Sequence, residues 1–140
     1  MTMRPELAVS AAIFRDGRVL LVRRAEEPAK GRWTLPGGRV ETGETLVAAV
    51  TREITEETGL TISVKGLAGY REVILGEATP DGSRHFVILP FAAEWVSGDV
   101  RLNEELGDYR WCTIDAIGEL PTTDGLIGIL RQAQALIANP

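Results

Sequence analysis

GRVETGETLVAAVTREITEETGL, running from Gly38 to Leu60, is the stretch whose reading decides the fold. Leu46, Val47, Val50 and Ile54 recur in it at helical spacing, and Gly59 stands where a left-handed C-terminal cap belongs. The spacing predicts a helix from Glu44 to Thr58. At roughly 100° per residue the four apolar side chains fall within an arc of about 100°, the width of a core-facing stripe. Beside that stripe lies a second arc of Glu53, Glu56 and Glu57, related by i to i+3 and i to i+4. Thr51 and Thr55 take the solvent side.

Carboxylates at this spacing repel one another, and they sit near the helix C-terminus, where the macrodipole disfavours negative charge. An ordinary solvated acidic face explains a lone E-x-x-E-E well enough. A hard divalent cation, which prefers carboxylate and carbonyl oxygens, is the other explanation and suits magnesium or manganese. The neighbours decide between them. Gly38, Glu44, Arg52-Glu53-Ile54, Glu56-Glu57 and Gly59-Leu60 fill every fixed position of the pattern G-x5-E-x7-R-E-U-x-E-E-x-G-U, with U aliphatic. In this the chain resembles the Nudix hydrolase family.

Each position also has a physical reading of its own. Gly37 and Gly38 let the backbone turn and bring a carbonyl close to a metal or phosphate. Arg52 can fork onto a neighbouring carboxylate and fix its rotamer, leaving Glu56 and Glu57 to face an ion. The resemblance implies a magnesium site, with manganese as a substitute, built from the Gly38 carbonyl and the carboxylates of Glu53, Glu56 and Glu57. It places Glu44 and Arg52 in the catalytic set as the brace of loop and helix. Family members take their general base either from the box or from a later loop, so Glu53 and Glu105 are both candidates. Glu105 precedes Trp111 in E-L-G-D-Y-R-W, and Glu104 is the adjacent alternative.

Outward from the box, Leu7 to Phe14 and Arg18 to Arg23 read as two strands joined by an Asp16-Gly17 turn. Ala25 to Arg32 is a polar loop with Pro28 and Gly31, followed by the short apolar piece Trp33 to Leu35. Ser63 to Leu75, Arg84 to Trp95 and Tyr109 to Thr113 are further strands, with Thr79-Pro80-Asp81-Gly82 as a turn. Pro121 to Asp124 resembles a helix start with a threonine or aspartate cap, and Leu126, Leu130, Ala133 and Ile137 then share one face. These elements imply a mixed sheet covered by a terminal amphipathic helix. The resemblance makes it an α/β/α sandwich, with residues 1–140 as one domain.

With 140 residues and 44% hydrophobic content, the chain can build a continuous core without disulfides. A net charge of −5 lacks the basic surplus of proteins that bind duplex DNA or RNA. No segment is apolar enough for a signal peptide or a membrane span, so a cytoplasmic location without membrane contact is expected. Cys112, the single cysteine, reads as a buried inert thiol in a strand. His85, the single histidine, reads as structural.

The expected reaction is hydrolysis of a pyrophosphate bond in a nucleoside diphosphate derivative, the carboxylates supplying both metal ligands and a base. A Nudix-fold nucleotide sensor that binds without turnover is the alternative, and the intact glutamate set argues against it. Arg23, Arg24, Lys30, Arg32 and Arg39 are candidates for phosphate contacts, and Trp33, Tyr70 and Phe86 for stacking on a base. The proline that ADP-ribose-specific members carry after the box is absent, since Ile74, Leu75 and Gly76 stand there. The tyrosine of dinucleoside-polyphosphate members is absent too, with Glu77 and Ala78 in that region. Nucleoside triphosphates and sugar nucleotides thus stay open, and the resemblance admits a homodimer.

Overall fold

The computed structural model describes residues 4–27, 29–76 and 84–138; the expected turn at Thr79 to Gly82, and Glu77 and Ala78, lie outside them. Eight strands form one sheet among the described residues: β1 (Glu6–Arg15), β2 (Arg18–Arg24), β3 (Trp33–Thr34), β4 (Gly37–Arg39), β5 (Thr61–Leu67), β6 (Arg71–Leu75), β7 (Arg84–Ser97) and β8 (Leu106–Cys112). Two helices, α1 (Leu46–Thr58) and α2 (Leu126–Ala138), accompany them. The sheet is mixed, as expected, because β1 runs parallel to β7 while every other strand pair is antiparallel.

Alternation along β1 and β2 builds two cores, one on each face of the sheet. Val9, Ala11, Ile13, Leu20 and Val22 pack under Ala49, Val50 and Ile54 of α1. Ala12, Phe14, Val19 and Leu21 pack under Leu126, Leu130 and Ala133 of α2. The result is the expected α/β/α sandwich.

The β1–β2 hairpin is paired only near its tip, at Phe14–Val19 and Arg15–Arg18. Beyond that the strands part. β2 goes on to pair with β8 and β3, while β4 takes its place beside β1, with Gly38 opposite Val9 and Gly37 opposite Ser10. The Ala11 N–H reaches the Pro36 carbonyl at 3.0 Å and closes the seam. This split in the sheet is where α1 can reach from its own face toward the other.

Helix α1 starts two residues later than the spacing predicts. The Thr45 hydroxyl caps it by accepting the Ala48 N–H at 3.1 Å, and Gly59, at φ 78°, closes it through its N–H to Thr55. Val47, counted in the core stripe from sequence, is 51% exposed, and Ala49 fills the core position instead. The terminal helix has Leu126, Leu130 and Ala133 buried as expected. Its expected threonine cap does not form from Thr123, whose hydroxyl donates to the Thr34 hydroxyl at 3.0 Å.

The expected strand from Ser63 to Leu75 is two strands. Continuing the β5 register, with Gly66 opposite Ala92 and Leu67 opposite Phe91, would put Arg71 opposite Val87, yet its partner is Ile88. A break at Ala68 to Tyr70, with Gly69 at φ 124°, accommodates the extra residue. A one-residue slip turns every following side chain to the opposite face. The last predicted strand begins earlier than Tyr109, at Leu106. Cys112 is buried as read, and burial pushes its thiol pKa up, away from nucleophile chemistry.

Ile54→Ala, which empties a fully buried site under the sheet, is expected to cost about 2–5 kcal/mol of unfolding free energy in urea denaturation. Val47→Ala on the same helix should stay within about 0.5 kcal/mol of the parent. Equal losses for the two would show that the helix face has been misassigned.

Candidate active site

Gly37 occupies the seam because nothing larger fits against the β1 backbone, and a side chain at Gly38 would displace the Glu53 carboxylate. A Cβ on Gly37 would lie 2.0 Å from the Val9 carbonyl oxygen, and one on Gly38 would lie 2.1 Å from the Glu53 Oε2. Real Cβ atoms do not approach so closely. The first glycine therefore lets β4 press against the backbone of β1. The second lets a carboxylate from α1 lie directly against β4, so the helix on one face contributes to the cleft on the other.

Arg52 organises the loop and the helix together. Its Nε and one terminal nitrogen fork onto Glu44 at 2.7 and 2.9 Å. The same terminal nitrogen reaches the Arg39 carbonyl at 3.1 Å. Its other terminal nitrogen donates to Glu53 at 2.9 Å and to Glu56 at 3.1 Å. Glu44 also accepts the Glu41 N–H at 3.1 Å, and these hydrogen bonds, Arg52 first, hold its pKa down at about 2. The guanidinium is in turn held more firmly protonated, chiefly by its hydrogen bonds to Glu44 and Glu53.

Glu57 is in a different environment. It is 5% exposed, and an oxygen of its carboxylate accepts the Gly37 N–H at 3.4 Å. Burial pushes its pKa up to about 8, with Glu105 and Glu53 adding repulsion while the Gly37 N–H and Arg24 pull it down. Burial is also the main cause raising Glu53, opposed by Arg52 and reinforced by Glu56 and Glu105. Glu53, Glu57 and Glu105 thus act on one another although they come from a helix and a distant loop. The structure tethers that loop by a hydrogen bond from the Ala25 N–H to the Glu105 carbonyl at 3.0 Å.

These three carboxylates line one end of a cleft of about 880 Å³. The donors are hard oxygens, with Glu56 beside them on α1, and that set suits magnesium or manganese. In the present rotamers no three of these side chains among the described residues close around one point, because Arg52 draws Glu53 and Glu56 to itself. In these rotamers Arg52 reaches Glu56 at 3.1 Å as well as Glu53 at 2.9 Å.

Of the arginines singled out from sequence, Arg24, Arg32 and Arg39 line the cleft. Arg32 is held by its hydrogen bond to the Thr122 carbonyl at 2.9 Å, and Arg39 pairs with Glu6 at 3.4 Å. Arg23 and Lys30 do not line it. Arg23 instead covers the Trp33 ring at 5.9 Å, and Arg110 covers it at 5.1 Å. Trp33 is 5% exposed in the α2-side core, so its strand position made it packing and not a base platform. Tyr70 is 69% exposed in the β5–β6 break and lies outside the cleft. Phe86 does line it, half-buried, with the Arg84 guanidinium 4.8 Å over its ring. Glu104 does not line it, and His85 pairs with Glu72 on the other face at 3.3 Å.

Arg71, Arg84 and Asp124 line the cleft and were missed from sequence. Arg71 and Arg84 point there through strand register. Asp124 follows a segment pinned to β3 by the Trp33 N–H to the Pro121 carbonyl at 2.7 Å and the Thr123 N–H to the Trp33 carbonyl at 3.1 Å. No helix among the described residues is long and apolar enough to cross a membrane.

Two opposite pH dependences follow for the metal-free protein. The folded state raises the Glu57 pKa, so it binds a proton that the unfolded chain releases, and stability falls as pH rises from about 4.5 to about 8. Glu44 is shifted down, so its contribution is present above about 4.5 and is lost as pH falls toward about 2. Urea midpoints measured from pH 5 to 8 should decline in the parent and flatten in Glu57→Gln. An unchanged slope in that variant would refute the assignment.

A family model described as the NUDIX domain matches residues 4–132. An ADP-ribose pyrophosphatase from Methanocaldococcus jannaschii is 33% identical over 118 residues, covering 84% of this chain and 68% of that protein. Nucleoside triphosphatase NudI from Enterobacter sp. is 31% identical over 125 residues, 84% of this chain and 89% of that protein. The crystal structure of a MutT NUDIX hydrolase from Burkholderia pseudomallei is similar with a TM-score of 0.77 and 34% identity, covering 92% of this chain and 98% of that one.

Proposed function

The chain belongs to the Nudix family and is a Nudix hydrolase, and on that premise we propose that it cleaves, with magnesium, the pyrophosphate bond of a nucleoside diphosphate carrying a further group. The observation that supports this best is the Glu53 carboxylate lying in the space that a Gly38 side chain would fill, within the electrostatic reach of Glu57 and Glu105. A set of acids packed so closely is stable when ionised only with a cation among them.

The Gly38 carbonyl, Glu53, Glu56 and Glu57 are the residues that would hold the metal, which when bound neutralises phosphate charge and acidifies water. Glu44 and Arg52 act as positioning residues, since their fork fixes Glu53 and Glu56 relative to the β4 backbone. Glu105 is the better candidate base. The residue is exposed at the cleft, and its carboxylate accepts from no arginine among the described residues, whereas the Glu53 carboxylate already accepts from Arg52. Arg24, Arg32 and Arg39, which line the same cleft, meet the phosphates. A nucleoside triphosphate suits the missing ADP-ribose proline better than ADP-ribose does. On this reading residues 1–140 form one domain that acts on a small nucleotide in the cytoplasm.

Release of phosphate or pyrophosphate from a panel of nucleoside triphosphates, sugar nucleotides and ADP-ribose, with magnesium or with chelator, tests the reading. Turnover should require the metal, and Glu57→Gln should lower kcat by at least about 100-fold, the upper range for partners lying beyond the metal's direct ligands. Glu105→Gln should lower kcat while leaving the midpoint of magnesium titration in place, and Glu53→Gln should shift that midpoint. If Glu105→Gln turns over like the parent, the base is elsewhere.

A further inference from the structure

At the far end of the cleft stands an arginine with no described partner to bind. Arg71 is half-buried, lines the cleft and donates no hydrogen bond among the described residues. Desolvation lowers its pKa, and the charge acting against that is Asp124, which also lines the cleft but forms no ion pair with it within 4 Å. A guanidinium with five donors and no acceptor, drawn partly out of water and left unbonded, calls for acceptor atoms from a ligand.

Register gives its distance from the acids. Arg39, Ala8, Ile88 and Arg71 form a single cross-strand row over β4, β1, β7 and β6. Three strand spacings separate its ends by roughly 14 Å. Arg39 adjoins Gly38, so Arg71 lies a nucleotide's length from the carboxylate end, beyond the reach of the scissile phosphates. Asp124 makes the pair neutral overall, which disfavours a phosphate or other anion and suits an uncharged edge with acceptors beside donors. Ile88 and Ile129 line the same cleft and supply apolar surface for a flat ring, as does the face of Phe86 that the Arg84 guanidinium leaves open.

We propose that Arg71 and Asp124 are the specificity-determining pair that reads the base of the substrate, selecting a 6-oxopurine edge of the guanine type. Guanine presents O6 and N7 as adjacent acceptors, which match an arginine fork, and next to them N–H donors for a carboxylate. Adenine presents one acceptor and an amino group along the same edge, leaving half of the fork unpaired. The β5–β6 break makes this possible, because the unbroken register would have turned Arg71 to the other face of the sheet.

This inference rests on the proposed nucleotide hydrolysis, so the test has two readouts. Binding of GMP and AMP to the full chain, followed by calorimetry without turnover, is compared with kcat/KM for GTP and ATP. The parent should favour the guanine nucleotide in both. Arg71→Lys, which keeps the charge and loses the fork, should reduce that preference about 10- to 100-fold. Asp124→Ala, at an exposed turn where folding is not at stake, should weaken GTP more than ITP, which lacks the 2-amino group, and leave ATP unchanged. Should nothing on the panel be hydrolysed while GMP still binds in an Arg71-dependent way, the hydrolase reading falls and the base-reading pair stands. Hydrolysis with a GTP-to-ATP ratio unaffected by both substitutions, or a parent that prefers ATP, overturns the pair.

Discussion

Two glycines against two neighbours, Gly37 on the β1 backbone and Gly38 on the Glu53 carboxylate, are the constraint on which the remaining architecture depends. Widen that seam by one methyl group and β4 no longer lies beside β1, since the Val9 carbonyl already occupies the space. Without β4 there, the parted ends of β1 and β2 would leave unpaired backbone in the middle of the sheet. The helix and the sheet therefore meet at a point where close approach, not side-chain packing, sets the distance. The same approach carries an acidic group from the α1 face into a cleft that is mostly lined from the α2 face.

Around this seam, charge is arranged in two opposite ways. Arg52 gathers Glu44, Glu53 and Glu56 into hydrogen bonds, and its fork holds the Glu44 carboxylate ionised. Glu57 and Glu105 receive no such fork, and Glu57 is buried under the sheet with a weak backbone donor. One helix thus holds a carboxylate cluster that is half satisfied by protein and half dependent on what enters the cleft. That imbalance is a feature that a purely solvated acidic face would lack.

Alternation explains which sequence readings held and which did not. Val50, Ile54, Leu126, Leu130 and Ala133 follow a helical period strong enough to place them in the cores. Val47 fits the same period but lies at the margin of the arc and stays in solvent. Trp33 and Tyr70 carried an aromatic signal without a direction, and only strand pairing told one into the core and the other away from the cleft. Arg71 gave no signal at all, because its face depends on an extra residue at Ala68 to Tyr70 whose effect is felt only against β7.

What the residues from Gly38 to Leu60 determined unaided was the helix, its C-terminal cap and the order of its acids, since periodicity and residue chemistry are local properties of a chain; the reaction class came through their resemblance to the Nudix family. The mixed sheet and its terminal helix were also legible from strand formers, turn residues and helical period, while the α/β/α layering followed from the resemblance. Only the tertiary structure decided which arginines and aromatics share the cleft, how Glu105 comes to face Glu53 and Glu57, and where the wall opposite the acids stands. Those depend on register and on contacts between segments tens of residues apart, and a one-residue slip in a strand reverses them without changing a letter of the local pattern.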